Sequence, residues 1–226
     1  MIEKSKDMSK RYEGGIDTWG NRERQLYQKI FKRAVELAFN HHDNISTNPM
    51  VTWYDVGAGG GNIWDTILEN IGDHTVKLRG CDISDVAVND LNDRYSSLGA
   101  LATRIDLEEY DHTDLTTKEF QDFYNTIHSA DVVSIVDVAY YFGEKRPWKD
   151  TMKEIWDSIK PNTIVVVADS LIPYQRRSYF NTLEDCELLD DYTDYTEKVS
   201  EEHRDNGKVW HRYLKVKIYW KVAKDV

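Results

Sequence analysis

Apolar and polar residues alternate along the middle of the chain with two different periods. Short apolar runs that are typical of buried strands are separated by stretches in which apolar residues recur every three or four positions, as on one face of a helix. The predicted strands are 51–56, 75–82, 101–106, 131–138 and 163–169. The predicted helices between them are 62–71, 84–96, 117–127 and 147–160. Strands that alternate with helices form βαβ units, so we predict a mostly parallel sheet with helices on both faces.

The residues before the first strand predict an N-terminal helical segment over 1–49. Apolar residues at helical spacing indicate a helix over 21–40, and Pro49 closes a loop over 41–49. Residues 1–20 are polar and rich in glycine, so we expect them to be loosely ordered.

The residues after 169 have β character of a different kind. Two long segments, 188–202 and 208–222, flank the turn 204–207, whose Asn-Gly pair is a strong signal for a hairpin. Together with the five strands before it, this antiparallel hairpin gives a doubly wound α/β sheet of seven strands. The chain has no internal repeat or linker, so we predict a single domain over 1–226.

The composition indicates a globular protein with a substantial core. The 226 residues are 40% hydrophobic and include only 12 Gly and 4 Pro, which excludes wholesale disorder. No apolar run approaches the ~18 residues that a membrane helix needs, and the N-terminus is too polar for a secretory signal. Cys81 and Cys186 are too few for a disulfide scaffold. We therefore expect a cytoplasmic protein with no membrane partner.

The net charge bears on the choice of partner. The chain has 29 basic and 40 acidic residues, a formal charge of −11. An acidic surface repels phosphate backbones, so nucleic acid is a disfavoured partner and a cationic or neutral substrate is favoured. A local basic patch is compatible with this total, so the charge alone does not exclude nucleic acid.

A glycine-rich loop, Asp55-Val56-Gly57-Ala58-Gly59-Gly60-Gly61, joins the first predicted strand to the first predicted helix. In open α/β sheets, ligands bind outside the carboxyl ends of the strands, near the point where the strand order reverses. Glycines there let the backbone approach a ligand, and the helix N-terminus offers free N–H groups. The alternative is a turn with a purely structural role.

The spacing of these glycines discriminates between ligand classes. A P-loop requires Gly-Lys-Ser/Thr, but Asn62 follows Gly61. The dinucleotide fingerprint G-x-G-x-x-G fails because its last position falls on Asn62 or on Trp64. The pattern that is present is D-x-G-x-G-x-G. It resembles motif I of the class I S-adenosylmethionine (SAM)-dependent methyltransferases.

The resemblance covers about residues 50–222 and implies a Rossmann-like methyltransferase fold with SAM as the cofactor. Asp82 ends the second strand 21 residues after Gly61, where a carboxylate can accept hydrogen bonds from both ribose hydroxyls. The alternative for Asp82 is an acid that simply precedes a helix, and Asp106 either flanks the adenine or belongs to an acidic surface run. The residues that the resemblance implies at the cofactor are Asp55, Gly57, Ala58, Gly59, Gly61, Asp82, Ile83, Ile105, Asp106, Val136 and Asp137.

A narrower resemblance concerns the NodS-like group, which N-methylates the amino sugar of a chitooligosaccharide. It rests on Asp17-Thr18-Trp19, on Glu23, Tyr27 and Lys29, and on the segment 136–142, VDVAYYF. In this N-terminal segment, we expect Trp19 to fold over the cofactor and Lys29 or Arg24 to meet the methionine carboxylate. The alternative is that a helix ahead of the first strand has a charged face in any case.

Methyl transfer to an amine needs a group that accepts a proton. An amine is mostly protonated in water and must be neutral to attack, so a carboxylate near the methyl group can orient it and take the proton. Asp137, Tyr140 and Tyr141 lie at the position of the family's motif IV, and we predict them as catalytic residues; for the tyrosines, the alternative is packing at a strand end. We predict no metal site, because the adjacent His41 and His42 do not converge on one ion and no Cys/His cluster has zinc spacing.

These features predict a SAM-dependent methyltransferase that acts on an amino or hydroxyl group of a small molecule or glycan. The Pro-Pro motif of DNA amino-methyltransferases and the Pro-Cys nucleophile of cytosine-C5 methyltransferases are both absent from the sequence. Two alternatives are a SAM-binding partner module without turnover and a methyltransferase that acts on RNA or protein. A third, an oxidoreductase with a nicotinamide cofactor, is disfavoured by Asn62.

Overall fold

The computed structural model describes residues 4–13, 25–169, 176, 178–193, 200–203, 209–212 and 215–223. The helices are α1 (Lys4–Glu13), α2 (Gln25–Ile45), α3 (Asn62–Glu69), α4 (Asp85–Tyr95), α5 (Lys118–His128) and α6 (Trp148–Ser158). The strands are β1 (Met50–Val56), β2 (Thr75–Asp82), β3 (Leu101–Arg104), β4 (Val132–Val136), β5 (Ile164–Asp169), β6 (Cys186–Thr193), β7 (Ser200–His203), β8 (Val209–Arg212) and β9 (Lys215–Lys221). Within these ranges, no helix is long and apolar enough to cross a membrane.

Seven strands form one sheet in the order β3-β2-β1-β4-β5-β9-β6. The first five of these are parallel to one another, and β9 runs antiparallel to both β5 and β6. The predicted fold class is therefore confirmed: a doubly wound, mostly parallel sheet with a C-terminal antiparallel hairpin. The strand order reverses between β1 and β4, so the crevice that such sheets use for ligands lies at the carboxyl ends of these two strands.

Helices cover both faces of the sheet. One buried cluster joins α2, α3 and α4 to the strands through residues such as Trp53 and Trp64. A second cluster packs α5 and α6 on the opposite face around Phe123 and Trp156. Successive residues of a strand point to opposite faces, so the central strands contribute apolar side chains to both clusters. This explains why their sequences read as continuous apolar runs.

Local sequence signals fix where several helices and turns begin. The Ser84 side chain caps α4 by accepting a hydrogen bond from the Ala87 amide at 3.3 Å. Thr117 caps α5 in the same way, and α6 begins directly after Pro147. Asn162 occupies the left-handed region with φ of 65°, which asparagine tolerates better than most residues.

The N-terminal part differs from the sequence prediction in two respects. Residues 4–13 form α1, although loose order was expected, because Met8 and Tyr12 lie four residues apart on one face and are both buried. The helix α2 extends to Ile45, into the first part of the expected loop over 41–49, and its last turn contains the buried His42. Residues 14–24 lie outside the described part of the chain.

The C-terminal β region is also divided differently from the prediction. Each of the two long segments contains two strands, because β6 pairs with β9 in the main sheet while β7 pairs with β8 in a separate two-stranded sheet. The β6–β9 ladder shifts register between Leu188 and Asp190, which marks a bulge in this edge strand. The predicted Asn-Gly turn at 204–207 lies outside the described residues.

Candidate functional site

A cavity of about 230 Å³ opens at the carboxyl ends of β1, β2, β3 and β4, where the strand order reverses. Helix α1 contributes Met8 and Tyr12 to its wall, and α2 contributes Phe31. The sequence-predicted site residues that line this cavity are Asp55, Gly57, Ala58, Gly59, Asp82, Ile83, Ile105, Asp106, Val136, Asp137 and Tyr141. The fold thus brings together residues from four separate strand ends.

Gly61 and Lys29 are predicted site residues that do not line the cavity. Gly61 is not part of the lining but sits under α4, where an added Cβ would lie 2.7 Å from Cδ2 of Leu91. Lys29 is exposed on α2 and does not line the cavity. Trp19 lies outside the described residues, and the structure describes only the backbone of Tyr140.

The glycine loop is held from two sides. Gly57 has φ of +71°, and a Cβ on it would lie 2.3 Å from Cγ2 of Val138, so the loops after β1 and β4 are in close contact. Gly59 has φ of +51°, a conformation in which glycine avoids the strain of a side chain. From the other side, Nη2 of Arg94 donates a hydrogen bond of 2.6 Å to the carbonyl oxygen of Gly60.

The buried carboxylate of Asp82 connects the glycine loop to the end of β2. Its Oδ2 accepts a hydrogen bond from the Gly59 amide at 3.0 Å, and its Oδ1 accepts one from the Ser84 amide at 2.8 Å. Burial raises the pKa of Asp82, although hydrogen bonds from backbone amides act in the opposite direction. A carboxylate offers about four lone-pair sites, so Asp82 retains acceptor capacity toward a ligand in the cavity.

Asp55 lies at the end of β1 in a fully buried chain of hydrogen bonds. The Ser134 hydroxyl donates to its Oδ1 at 2.6 Å and accepts from Nε1 of Trp53 at 2.8 Å. Burial is the largest cause that raises the pKa of Asp55, the Ser134 hydrogen bond lowers it, and the nearby charge of Asp82 raises it; the resulting pKa is about 7. Asp55 is therefore close to half-protonated near neutral pH, and a positive charge bound in the cavity would favour its ionised form.

The acidic loop after β3 is fastened to the segment after β4. Oδ1 of Asp106 accepts a hydrogen bond from the Glu108 amide at 3.0 Å, and its Oδ2 accepts one from Nζ of Lys145 at 2.7 Å. The buried Glu108 accepts hydrogen bonds from the backbone amides of Gly143 and Glu144. Glu108 lines the cavity and was not predicted; its only signal in the sequence is its place in the acidic run that begins at Asp106.

The end of β4 carries the predicted catalytic segment. Asp137 has φ of 51°, a left-handed conformation that is uncommon outside glycine but that Asp adopts more readily than most residues. Such conformations cluster at functional sites because the surrounding structure holds them in place. A 3₁₀ helix over Ala139–Tyr141 follows, and Nη1 of Arg176 donates to the carbonyl oxygens of Ala139 at 2.8 Å and Phe142 at 3.2 Å.

Helix α1 forms one wall of the site. Met8 and Tyr12 pack with Ala87 of α4, and the partly buried Tyr141 packs against this small cluster. An added Cβ on Gly59 would lie 2.7 Å from the Tyr12 hydroxyl oxygen, which shows how closely α1 covers the glycine loop. The spacing of Met8 and Tyr12 is the only trace of this contact in the sequence.

The charged side chains that line the cavity are acidic, and one of them, Asp106, is paired with Lys145 beside the cavity. Among the described residues that line the cavity, five have carboxyl side chains and none is Lys, Arg or His. The five are Asp55, Asp82, Asp106, Glu108 and Asp137. This arrangement favours a ligand with positive charge and hydroxyl groups over one with phosphates. SAM carries a sulfonium, an ammonium and two ribose hydroxyls, so the residues present fit this cofactor.

Comparison with protein families gives one match. Residues 54–165, which contain the glycine loop and the ends of β1 to β4, match the family model described as "Methyltransferase domain". No protein of curated function matches the chain.

Comparison with solved structures gives many matches that share the fold. The CurJ carbon methyltransferase matches with a TM-score of 0.62 and 11% identity, over 93% of this chain and 59% of that one. The N-methyltransferase NodS from Bradyrhizobium japonicum WM9, in complex with S-adenosyl-L-homocysteine (SAH), matches with a TM-score of 0.62 and 10% identity, over 97% of this chain and 98% of that one. The plantazolicin methyltransferase BpumL, in complex with a pentazolic desmethylPZN analog and SAH, matches with a TM-score of 0.55 and 14% identity, over 98% of this chain and all (100%) of that one.

Proposed function

The chain belongs to the class I SAM-dependent methyltransferases, and on this premise we propose that it methylates an amino or hydroxyl group of a small molecule or sugar. The observation that carries the proposal is the charge of the cavity, in which five carboxyl groups and no basic side chain line the described wall. A cation is stabilised there, and an amine acceptor arrives as a cation. The site therefore favours an amine over a hydroxyl group as the methyl acceptor.

The cofactor contacts in this proposal follow from the strand ends. Asp82 accepts hydrogen bonds from the ribose hydroxyls with the lone pairs that Gly59 and Ser84 leave free. Ile83 and Ile105 form apolar walls for the adenine, and Asp106 accepts from its exocyclic amine. The glycine loop and the N-terminus of α3 offer backbone amides to the carboxylate of the cofactor.

The acceptor side of the cavity lies between the end of β4 and α1. When bound, SAM supplies a methyl group on a sulfonium, which is already a good leaving group. The protein contributes alignment of the acceptor, worth roughly 7–11 kcal/mol of the barrier when the geometry is near in-line attack. Asp137 orients the ammonium of the acceptor and takes its proton, and Tyr141 presents an aromatic face that favours a cation.

The same charge distribution weighs against two alternatives. The pyrophosphate of a nicotinamide dinucleotide would enter a cavity whose described lining holds five acids and no base, which costs electrostatic energy. The phosphates of RNA would meet the same field at the cavity mouth and a chain of net charge −11. Protein substrates also carry amines, so the charge of the cavity does not separate them from small amines, and the choice between the two is made by experiment.

The test is a turnover assay with purified protein, SAM and separate panels of acceptors. The panels are amino sugars and chitooligosaccharides, small amines, hydroxylated small molecules, transfer RNA, and lysine-containing peptides. We expect SAH to form with the amine or hydroxyl panels and the mass of that acceptor to rise by one methyl group. Amino sugars are tested first because the sequence resembles the NodS-like group. Methylation of RNA or peptides alone would overturn the proposal, and SAM binding without turnover on any panel would favour a partner module.

A further inference from the structure

Three side chains of types that can ligate a metal lie close together at the amino end of the sheet, away from the cavity. His42 and Asp43 lie in the last turn of α2, and His74 directly precedes β2. One ligand atom from each residue lies within 4.8 Å of the other two. Nε2 of His74 is 3.4 Å from Oδ1 of Asp43, and Nδ1 of His42 is 3.8 Å from the same oxygen.

The burial of His42 in α2 gives an independent reason to expect a ligand here. His42 is only 3% exposed, and its Nδ1 has no hydrogen-bond partner among the described residues. A buried nitrogen without a partner loses its hydrogen bonds to water and gains none in the protein, which is unfavourable. Oδ1 of Asp43 lies 3.8 Å from this nitrogen of His42, beyond hydrogen-bond distance. An ion bound between the two groups would satisfy both.

Two of the distances between ligand atoms can be compared with those of a zinc centre. In a tetrahedral site with Zn–N bonds of about 2.0–2.1 Å, neighbouring ligand atoms lie about 3.3–3.5 Å apart. The separation of 3.4 Å between His74 and Asp43 agrees with this spacing, and the separation of 3.8 Å between His42 and Asp43 is somewhat longer. Asp43 is 56% exposed, so a fourth position is open to water. Two imidazoles and one carboxylate are a ligand set that zinc accepts.

The backbone around the ligands is already fixed. The His74 amide donates to the carbonyl of Ile71 at 3.0 Å, and the next amide, that of Thr75, donates to the carbonyl of Pro49 at 2.8 Å. The ring of Phe39 stacks on the His74 ring with centroids 4.7 Å apart and an interplanar angle of 8°. The ligands therefore need little rearrangement to bind an ion.

We propose that His42, Asp43 and His74 form a structural zinc site that joins the end of α2 to the start of β2. The role is structural because α2 reaches the cavity through Phe31, eleven residues before His42, or about 17 Å along the helix axis. The proposal departs from the sequence prediction of no metal site, because His74 lies 31 residues after Asp43 and shows no metal-ligand spacing with it. The site is independent of the methyl acceptor.

A second cluster provides a contrast. Asp111, His112 and Glu154 also bring three ligand atoms within 4.8 Å of one another. There, however, Nδ1 of His112 is only 2.6 Å from Oε2 of Glu154, so these two groups already satisfy each other by a hydrogen bond. An ion would have to break this contact, so we assign no site to this cluster.

The test is a titration of metal-free, tag-free full-length protein with Zn²⁺ by calorimetry and with Co²⁺ by visible absorption. We expect one saturable site, a higher melting temperature with zinc, and the intense visible bands of four-coordinate cobalt. Asp43→Ala removes an exposed ligand and is expected to weaken binding at least tenfold, as is His74→Ala. The matched control is Asp73→Ala, which removes the same charge from an exposed neighbouring residue and leaves binding unchanged.

Two results would overturn the proposal. The first is the absence of saturable zinc binding to the wild-type protein. The second is binding that Asp43→Ala and His74→Ala leave intact, or that only His112→Ala removes. Circular dichroism of each variant establishes that it is folded, so that lost binding reports on the ligands. Affinity for SAH is measured in parallel and is expected to be the same for Asp43→Ala and the wild type.

Discussion

The contact between α1 and the glycine loop makes a quantitative prediction at Gly59. Replacement of Gly59 by Ala has two separable costs. The residue has φ of +51°, and the new Cβ would lie 2.7 Å from the hydroxyl oxygen of Tyr12. The next contacts, with the Gly57 carbonyl oxygen and with Cζ of Tyr12, are both 3.8 Å away, an ordinary van der Waals distance. The Tyr12 hydroxyl is thus the sole source of steric conflict among the described residues.

The magnitudes follow from these two terms. A left-handed conformation costs an alanine about 1–2 kcal/mol. Overpacking against the hydroxyl adds roughly 1–3 kcal/mol. We therefore expect Gly59→Ala to lower the free energy of unfolding by about 2–5 kcal/mol in the wild-type background, and by only about 1–2 kcal/mol in a Tyr12→Phe background. The coupling energy of the double-mutant cycle is then about 1–3 kcal/mol.

The assay is urea denaturation of the four proteins of the cycle, followed by circular dichroism. Gly72→Ala is the matched control, because Gly72 has φ of +57° and nothing within 4 Å of an added Cβ. It measures the backbone cost alone. An equal cost of Gly59→Ala with and without the Tyr12 hydroxyl would show that α1 does not cover the loop.

Three further substitutions test the carboxyl groups of the cavity. Asp82→Asn is expected to weaken SAH binding at least tenfold, which is about 1.4 kcal/mol or more, while the protein stays folded. Unchanged SAH affinity in calorimetry would show that Asp82 does not bind the ribose. Asp137→Asn preserves the tolerance for φ of 51° and is expected to lower kcat far more than cofactor affinity; equal losses would make Asp137 a cofactor ligand instead. Burial raises the pKa of Asp55 from 3.8 to about 7, so the folded protein holds a proton that the unfolded chain has lost. The free energy of unfolding should therefore fall as the pH rises from 4 to 7, by up to about 4 kcal/mol. In denaturation experiments, Asp55→Asn should reduce this dependence on pH. The same pH dependence in the variant and the wild type would contradict the raised pKa of Asp55.

The central strands of the sheet could be predicted because they are buried on both faces. The sequence of β2 ends at Asp82 as expected, and the caps at Ser84 and Thr117 mark the helix starts within one residue. The edge of the sheet was less predictable. Strand β6 has no fully buried residue and carries a bulge after Leu188, so its apolar pattern does not show where it leaves the main sheet.

The residues of the site also fall into a group that the sequence predicts and a group that it does not. Residues in the loops after the strands could be assigned because the strand ends and the glycine spacing are local signals. Met8, Tyr12 and Phe31 reach the cavity through tertiary packing of α1 and α2, and two apolar residues on a polar helix are too weak a pattern to predict it. The convergence of His42 and His74 likewise depends on where a helix ends relative to a distant strand.

The most direct test of the account is calorimetric titration of the protein with SAM, SAH and NAD⁺ at neutral pH. We expect SAM and SAH each to bind at one site with micromolar affinity, and NAD⁺ to give no binding, because its pyrophosphate would meet five carboxyl groups in the cavity. Binding of NAD⁺ at similar affinity, or no binding of either SAM or SAH, would contradict the assignment of this acidic cavity to a cationic methyl donor.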